Sequence, residues 1–153
     1  MRSHPITQKK DILDIIGKCQ WCHMAMVDDE HRPYVIPLNF GFRDDIIYMH
    51  GAQKGKKIRI LEQNARVCIN FSLDHQLRYQ HEHVACSWSM KYRSVLAYGE
   101  VVFIEDPEQK KDALQVIMSQ YAKQQFTFNP PSIREVKVWK VKVDLFEGRS
   151  YGY

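Results

Sequence analysis

Apolar positions along the chain change spacing several times, and each change marks an element. Ile12, Ile15, Ile16 and Cys19 stand at i, i+3, i+4 and i+7, which predicts a helix with one apolar face and Thr7 as its cap. A strand is expected over His23 to Val27, then a turn at Asp28-Asp29-Glu30-His31. Pro33 to Phe42 alternates, with Val35, Pro37 and Asn39 on one face and Tyr34, Ile36, Leu38 and Phe40 on the other. Proline within that run predicts an edge, a bulge or a ligand-facing position. Arg43-Asp44-Asp45 turns into a third strand, Ile46 to His50, and the three strands read as an antiparallel meander. A short helix carrying Ile58 and Leu61 follows, then a strand from Val67 to Phe71. The polar, His-rich segment Ser72 to Met90 reads as a long loop, and Ser94 to Glu105 as a long strand. Asp106-Pro107 is a helix start, with Leu114, Ile117, Met118 and Tyr121 as the buried face. Pro130-Pro131 ends that region, and Val136 to Phe146 is the last strand, with Gly148 near its end.

Strands adjacent in sequence and joined by short turns pair antiparallel. The expected class is therefore α+β, a barrel-like antiparallel sheet with flanking helices. No internal repeat, low-complexity tract or linker divides the chain, so residues 1–153 are read as one domain. A chain of this length buries about two thirds of its unfolded surface and needs no disulfides to fold.

Charge narrows the partners. The 22 basic and 18 acidic residues leave a net +4, with no long basic run. That excess does not call for a nucleic acid; one bound phosphate would use it equally well. No apolar stretch approaches the roughly 18 residues that cross a bilayer. The first residues are polar and carry no apolar signal core, so a cytoplasmic protein with four reduced thiols is expected.

The segment His50-Gly-Ala-Gln-Lys-Gly-Lys-Lys57 carries the most chemistry. A strand ends at an imidazole, small residues allow close backbone approach, and Lys54, Lys56 and Lys57 crowd a helix entrance. Free N–H groups and the positive dipole end suit a phosphate there, whereas lysines disfavour the helix itself unless an anion is bound. A solvated lysine-rich turn is the plain alternative. The Walker pattern is absent.

At these residues a resemblance appears. Gly55-Lys-Lys-Ile-Arg-Ile-Leu-Glu-Gln-Asn-Ala-Arg-Val67 resembles the phosphate-binding stretch of the flavin-binding split barrels, the pyridoxamine 5'-phosphate oxidase-like family. Arg32-Pro-Tyr-Val-Ile-Pro-Leu-Asn-Phe-Gly41 resembles the family's second strand, which lines the isoalloxazine ring. Ile47-Tyr-Met-His-Gly51 is similar to the nitroimidazole-resistance group within it, and Tyr92-Arg-Ser-Val-Leu-Ala-Tyr-Gly-Glu100 enters the long strand that reaches across the family's dimer. The likeness runs in order from Ile12 to Tyr121 and fades from Phe126 onward.

The resemblance implies an FMN-binding split barrel working as a homodimer, with the cofactor at the subunit seam and a small molecule as substrate. By it, Lys56 and Lys57 hold the phosphate, Lys57 foremost. Pro37, Leu38 and Asn39 hold the ring, and His50 and Gly51 lie beside it. Lys54, Arg93 or a protonated His50 offers charge to the reduced ring, with a surface ion pair as the alternative for Arg93, and Ser94 offers a hydroxyl. His50 is the candidate catalytic proton donor, since reducing a nitro group needs protons as well as hydride; a histidine bonding backbone at a strand end is the alternative. The activity implied is FMN-dependent oxidoreduction, in the manner of a nitroreductase, with a non-catalytic flavin- or haem-binding protein as the rival. The oxidase's own substrate residues near the C terminus are not found.

Two further clusters invite metal readings and receive none. Cys19-Gln-Trp-Cys-His23 has the Cys-x-x-Cys-His form of covalent haem attachment, but falls at a helix–strand junction and reads as two buried thiols. His75, His81 and His83 with Glu82 and Cys86 lack a fourth ligand at zinc spacing and read as a polar loop. From the same segment, Trp88 and Tyr92 are candidates to cover a partner's ring.

Overall fold

A computed structural model describes residues 3–153. Its elements are β1 (Ser3–Ile6), α1 (Lys9–Lys18), β2 (Cys22–Val27), β3 (Pro33–Leu38), β4 (Gly41–Arg43), β5 (Ile46–Ala52), α2 (Lys56–Gln63), β6 (Arg66–Arg78), β7 (Ser89–Ile104), α3 (Pro107–Ser119), α4 (Pro130–Glu135) and β8 (Val136–Tyr151). A single 3₁₀ turn, Ala85–Ser87, precedes β7.

All strand pairings are antiparallel, in the order β3-β2-β6-β7-β8-β5-β4, with β1 added on β8 beyond the end of β5. The two ends of this path, β3 and β4, are joined by only Asn39 and Phe40, so the sheet curls on itself into a split barrel. This corrects the expected meander. The run Pro33 to Phe42 is two strands, and they sit at opposite ends of the sheet path. The break has local causes. Phe40 is fully buried, and its N–H donates to the Tyr121 hydroxyl at 3.0 Å instead of a neighbouring strand. Gly41 then runs against α3, where a Cβ would stand 2.5 Å from the Ile117 nitrogen and the Val116 carbonyl.

Alternation sorts the side chains. Met24, Met26, Ile47, Met49, Ile69, Phe71, Val95, Ala97, Trp139 and Val141 face inward and are essentially inaccessible. Burial of each larger apolar side chain stabilises the barrel by roughly 1.5–3 kcal/mol. Helix α1 packs Ile12, Ile15 and Ile16 onto this core, and α2 adds Ile58, Ile60 and Leu61. On the outer face of β5, β7 and β8, Tyr48, Ile104 and Val138 form a second cluster with Ala113, Leu114, Val116 and Ile117 of α3.

Other expectations need correction. Gln8, not Thr7, occupies the cap of α1, and it makes no side-chain cap bond. Ser72 to Met90 is not a loop: β6 and β7 continue as a paired arm to Arg78↔Ser89. Asp74, at φ 57°, takes up an irregularity between Leu73 and Gln76, and the polar composition of the arm hides its strands. Its tip is stapled by Tyr79 stacked on Trp88 at 4.2 Å and by Trp88 Nε1 donating to the Glu82 carbonyl. Pro130-Pro131 opens α4, capped by Asn129, rather than closing a region. Tyr121 lies past the end of α3 and is exposed, with only its hydroxyl turned in to Phe40. The cap at Asp106 is as expected, accepting from the Gln109 amide.

Candidate functional site

Gly55, at φ 136°, turns the chain from β5 into α2 in a conformation side-chain-bearing residues rarely adopt. The helix it opens has no side-chain cap and no acid in its first turn, so its first N–H groups and dipole meet only lysines. Lys54 and Lys56 are exposed; Lys57 is half-buried. Lys56 Nζ rests 4.5 Å from the centre of the Tyr34 ring, which ties the helix entrance to β3. The Lys57 stem lies across Gly51: a Cβ there would meet Lys57 Cε at 2.7 Å and Nζ at 3.1 Å, and Trp139 Cη2 at 3.4 Å. Gly51 thus leaves the path that Lys57 follows out of the barrel end.

Alternation places His50 on the outer face of β5, paired with Val138. Its Nδ1 and the Trp139 Nε1 are buried without a hydrogen-bond partner among the described residues. Asn39 precedes the β4–β5 ladder and His50 follows it, so both emerge at the same end. Pro37, on the outward face of β3 next to Val35, and Asn39, just past the end of that strand, are exposed. Leu38 points the other way, packs on the core and offers only backbone; its carbonyl accepts from Cys22 Sγ at 3.6 Å. One end of the barrel thereby gathers Pro37, Asn39, His50, Gly51, Lys56 and Lys57, with Lys54 in the turn between.

Arg93 and Ser94 do not join that group within one chain. Arg93 is ion-paired to Asp74, sits 4.2 Å over the Tyr153 ring, and lines a cavity of about 470 Å³ beside α1. Ser94, on the opposite face of β7, pairs with Ser72 and lines a separate cavity of about 450 Å³ with Phe146 and Arg149.

Register also exposes residues that sequence reading passed over. His23 stands directly opposite Pro37 on one side and Asn70 on the other, so an imidazole and an amide continue the outward row that begins at Pro37. Alternation alone makes His23 outward; its neighbours follow only from the order of the strands.

The cysteine pair is buried. Burial pushes the Cys19 thiol up to about 11 and the Cys22 thiol up to about 12, and each donates to a backbone carbonyl. All four cysteines are free. His81, His83 and Cys86 are exposed on the arm, and no group of three or more His, Cys, Asp or Glu among the described residues is placed to hold a metal ion. No helix among them is long and apolar enough to cross a membrane.

The arrangement fits a flavin phosphate and ring. Its features are an uncapped helix N-terminus, a lysine threaded over glycine, an apolar outward strand and unpartnered buried N–H or N groups beside them. Comparison with known proteins gives the family. Residues 8–150 match the model of a family described as pyridoxamine 5'-phosphate oxidase. A candidate 5-nitroimidazole antibiotic resistance protein from Bacteroides thetaiotaomicron superposes with a TM-score of 0.88 at 44% identity, over 97% of this chain and 87% of that one. The FAD and heme binding protein of Mycobacterium smegmatis (TM-score 0.84, 17% identity, 97% and 74% covered) shares the fold. So does a flavocytochrome of Azotobacter vinelandii (0.82, 18%, 97% and 70%). No protein of curated function matches the chain in sequence.

Proposed function

We propose, from the premise that this chain belongs to the pyridoxamine 5'-phosphate oxidase family, that it is an FMN-dependent oxidoreductase of small molecules, of nitroimidazole type. The observation that carries this reading is the convergence of Lys56, Lys57, Gly51, His50, Pro37 and Asn39 at one barrel end. Lys57 and the first amides of α2 hold the phosphate, assisted by Lys56 and Lys54. Pro37 and Asn39, with the backbone of Leu38, line the ring. When bound and first reduced by an external donor, FMN would supply a hydride to an electron-poor acceptor. His50, half-buried beside the ring wall, delivers a proton to the reduced acceptor.

A second copy of the chain completes the site. Helix α3 covers the outer face of the sheet near Tyr48, Ile104 and Val138; elsewhere that face leaves Val35 and Leu145 more than half exposed. An apolar face of this kind suits a two-fold pairing, in which the same patch serves both copies. Through it Ser94 or the Trp88 arm of one copy reaches the ring held by the other. Four unpaired thiols agree with a cytoplasmic setting.

The test is turnover. With FMN, a chemical reductant and a nitroimidazole, the protein consumes the nitro absorbance, and His50→Ala slows this while keeping its FMN. The rival reading, a non-catalytic flavin or haem carrier, has support in the names of the Mycobacterium and Azotobacter proteins. It predicts a coloured protein with no turnover.

A further inference from the structure

A cavity of about 490 Å³ opens where the end of α1 meets β2 and β6, and its lining includes Lys18, Cys19, Trp21, Ser72, His23 and His75. Three of these side chains have no structural employment. Trp21 leaves 56% of its surface exposed, although an indole gains by burial. The imidazoles of His23 and His75 have neither a hydrogen-bond nor an ion-pair partner among the described residues, although they line the same hollow. The core explains none of them: Cys22, not Trp21, fills the inward position at the start of β2.

The register then fixes what this cavity adjoins. His23 faces Pro37 directly across the β2–β3 ladder, and Pro37 is the outward wall assigned above to the flavin ring. His23 therefore belongs at once to the ring wall and to the cavity, and a molecule lying against Trp21 would present one edge toward the ring.

The geometry points to this cavity as the acceptor-substrate pocket, taking a flat, electron-poor aromatic with oxygen acceptors at its edge, such as a nitroazole. Its use in turnover rests on the flavin reading above. Indole is electron-rich, so an electron-poor ring stacks on Trp21 favourably. Imidazole N–H groups of His23 and His75 donate to the nitro oxygens; Lys18 at the rim is already paired with Asp14 at 2.6 Å and adds no free charge. The volume suits a single small heteroaromatic ring, at the low end of ligand cavities.

The test uses the intact protein and two calorimetric titrations, one with 2-methyl-5-nitroimidazole and one with FMN. Wild type is expected to bind the nitroimidazole, and Trp21→Ala and His75→Ala each to weaken it by about tenfold, the loss of one stacking or charge-polarised contact. Both variants are expected to keep the wild-type thermal midpoint and FMN affinity. Nitroimidazole affinity unchanged in both variants, or no binding by wild type, overturns the pocket. A protein that refuses FMN yet loses the nitroimidazole in Trp21→Ala overturns the flavin reading and upholds the pocket.

Discussion

The two faces of one sheet obey different rules. Inward, the strands carry Met24, Met26, Val67, Ile69, Phe71, Val95, Ala97, Val141 and Trp139, without a charge among them. Outward, the same strands carry His23, Asn70, Cys68, Tyr98 and Glu147 interleaved with the exposed Val35 and Leu145. Where α3 covers the outer face it is apolar again, with Tyr48, Ile104 and Val138. Only the uncovered part mixes imidazole, amide, thiol and carboxylate with large apolar groups. A barrel that needed only to fold would solvate that face; this one keeps apolar residues there beside polar ones, with Tyr98 donating to Glu147 and His23 left without a partner among the described residues, the composition of a place where something binds.

The sharpest contrast comes from cutting into the inner face. Phe71 is fully buried and meets Phe40 edge-on at 4.9 Å. Phe71→Ala is expected to lower unfolding free energy by about 3–5 kcal/mol in a denaturant titration. At the barrel end, Lys57→Ala should leave folding nearly unchanged and weaken FMN by on the order of 1.5–3 kcal/mol, about tenfold or more in Kd. Equal FMN affinity would move the phosphate away from α2. Asp106→Ala, which removes the cap from the Gln109 amide, should reduce stability by about 1 kcal/mol without touching cofactor affinity.

The buried thiols give a pH signature that belongs to the inner face alone. Burial raises Cys19 and Cys22 from an ordinary value of 9.0 to about 11 and about 12. The folded chain thus holds these protons to higher pH than the unfolded chain does. Their contribution is fully present below about pH 9 and drains away as pH rises toward 12. Unfolding curves recorded from pH 8 to 11 should show that decline, and Cys19→Ala/Cys22→Ala should flatten it. The smallest effect on folding is expected outward. Val35→Asp, on a residue 55% exposed, should change unfolding by no more than about 0.5 kcal/mol. The same change should shift sedimentation from dimer toward monomer if the uncovered face pairs two copies.

How far the sequence carries depends on whether the deciding contact is local. The start of α3 was legible because Asp106, Pro107 and Gln109 settle it among themselves. The inward faces were legible because alternation is a property of each strand separately. The β6–β7 arm was not: its polar residues give no apolar period, and it exists because Gln76, Leu77 and Arg78 find Lys91, Met90 and Ser89. β1 escaped notice for the same reason, being four residues whose strand character comes from pairing with β8. In the candidate site, the lysine-rich entrance to α2 and the outward Pro37 could be read from spacing. His23 could not, since its place beside Pro37 depends on strand order. Nor could the route of Lys57 over Gly51, which only the packing of α2 on the barrel end defines. The division of Arg93 and Ser94 between two cavities follows from opposite faces of β7, although neighbours in sequence suggested one site.

The central claim is that the end of the barrel bearing Lys56 and Lys57 holds a flavin mononucleotide, and an FMN titration of the purified protein tests it most directly. Flavin fluorescence should be quenched with saturation at one FMN per chain, and Lys57→Ala should shift the curve to at least about tenfold higher concentration. A protein that leaves FMN fluorescence unchanged at every concentration, or that binds it equally with and without Lys57, would contradict the account.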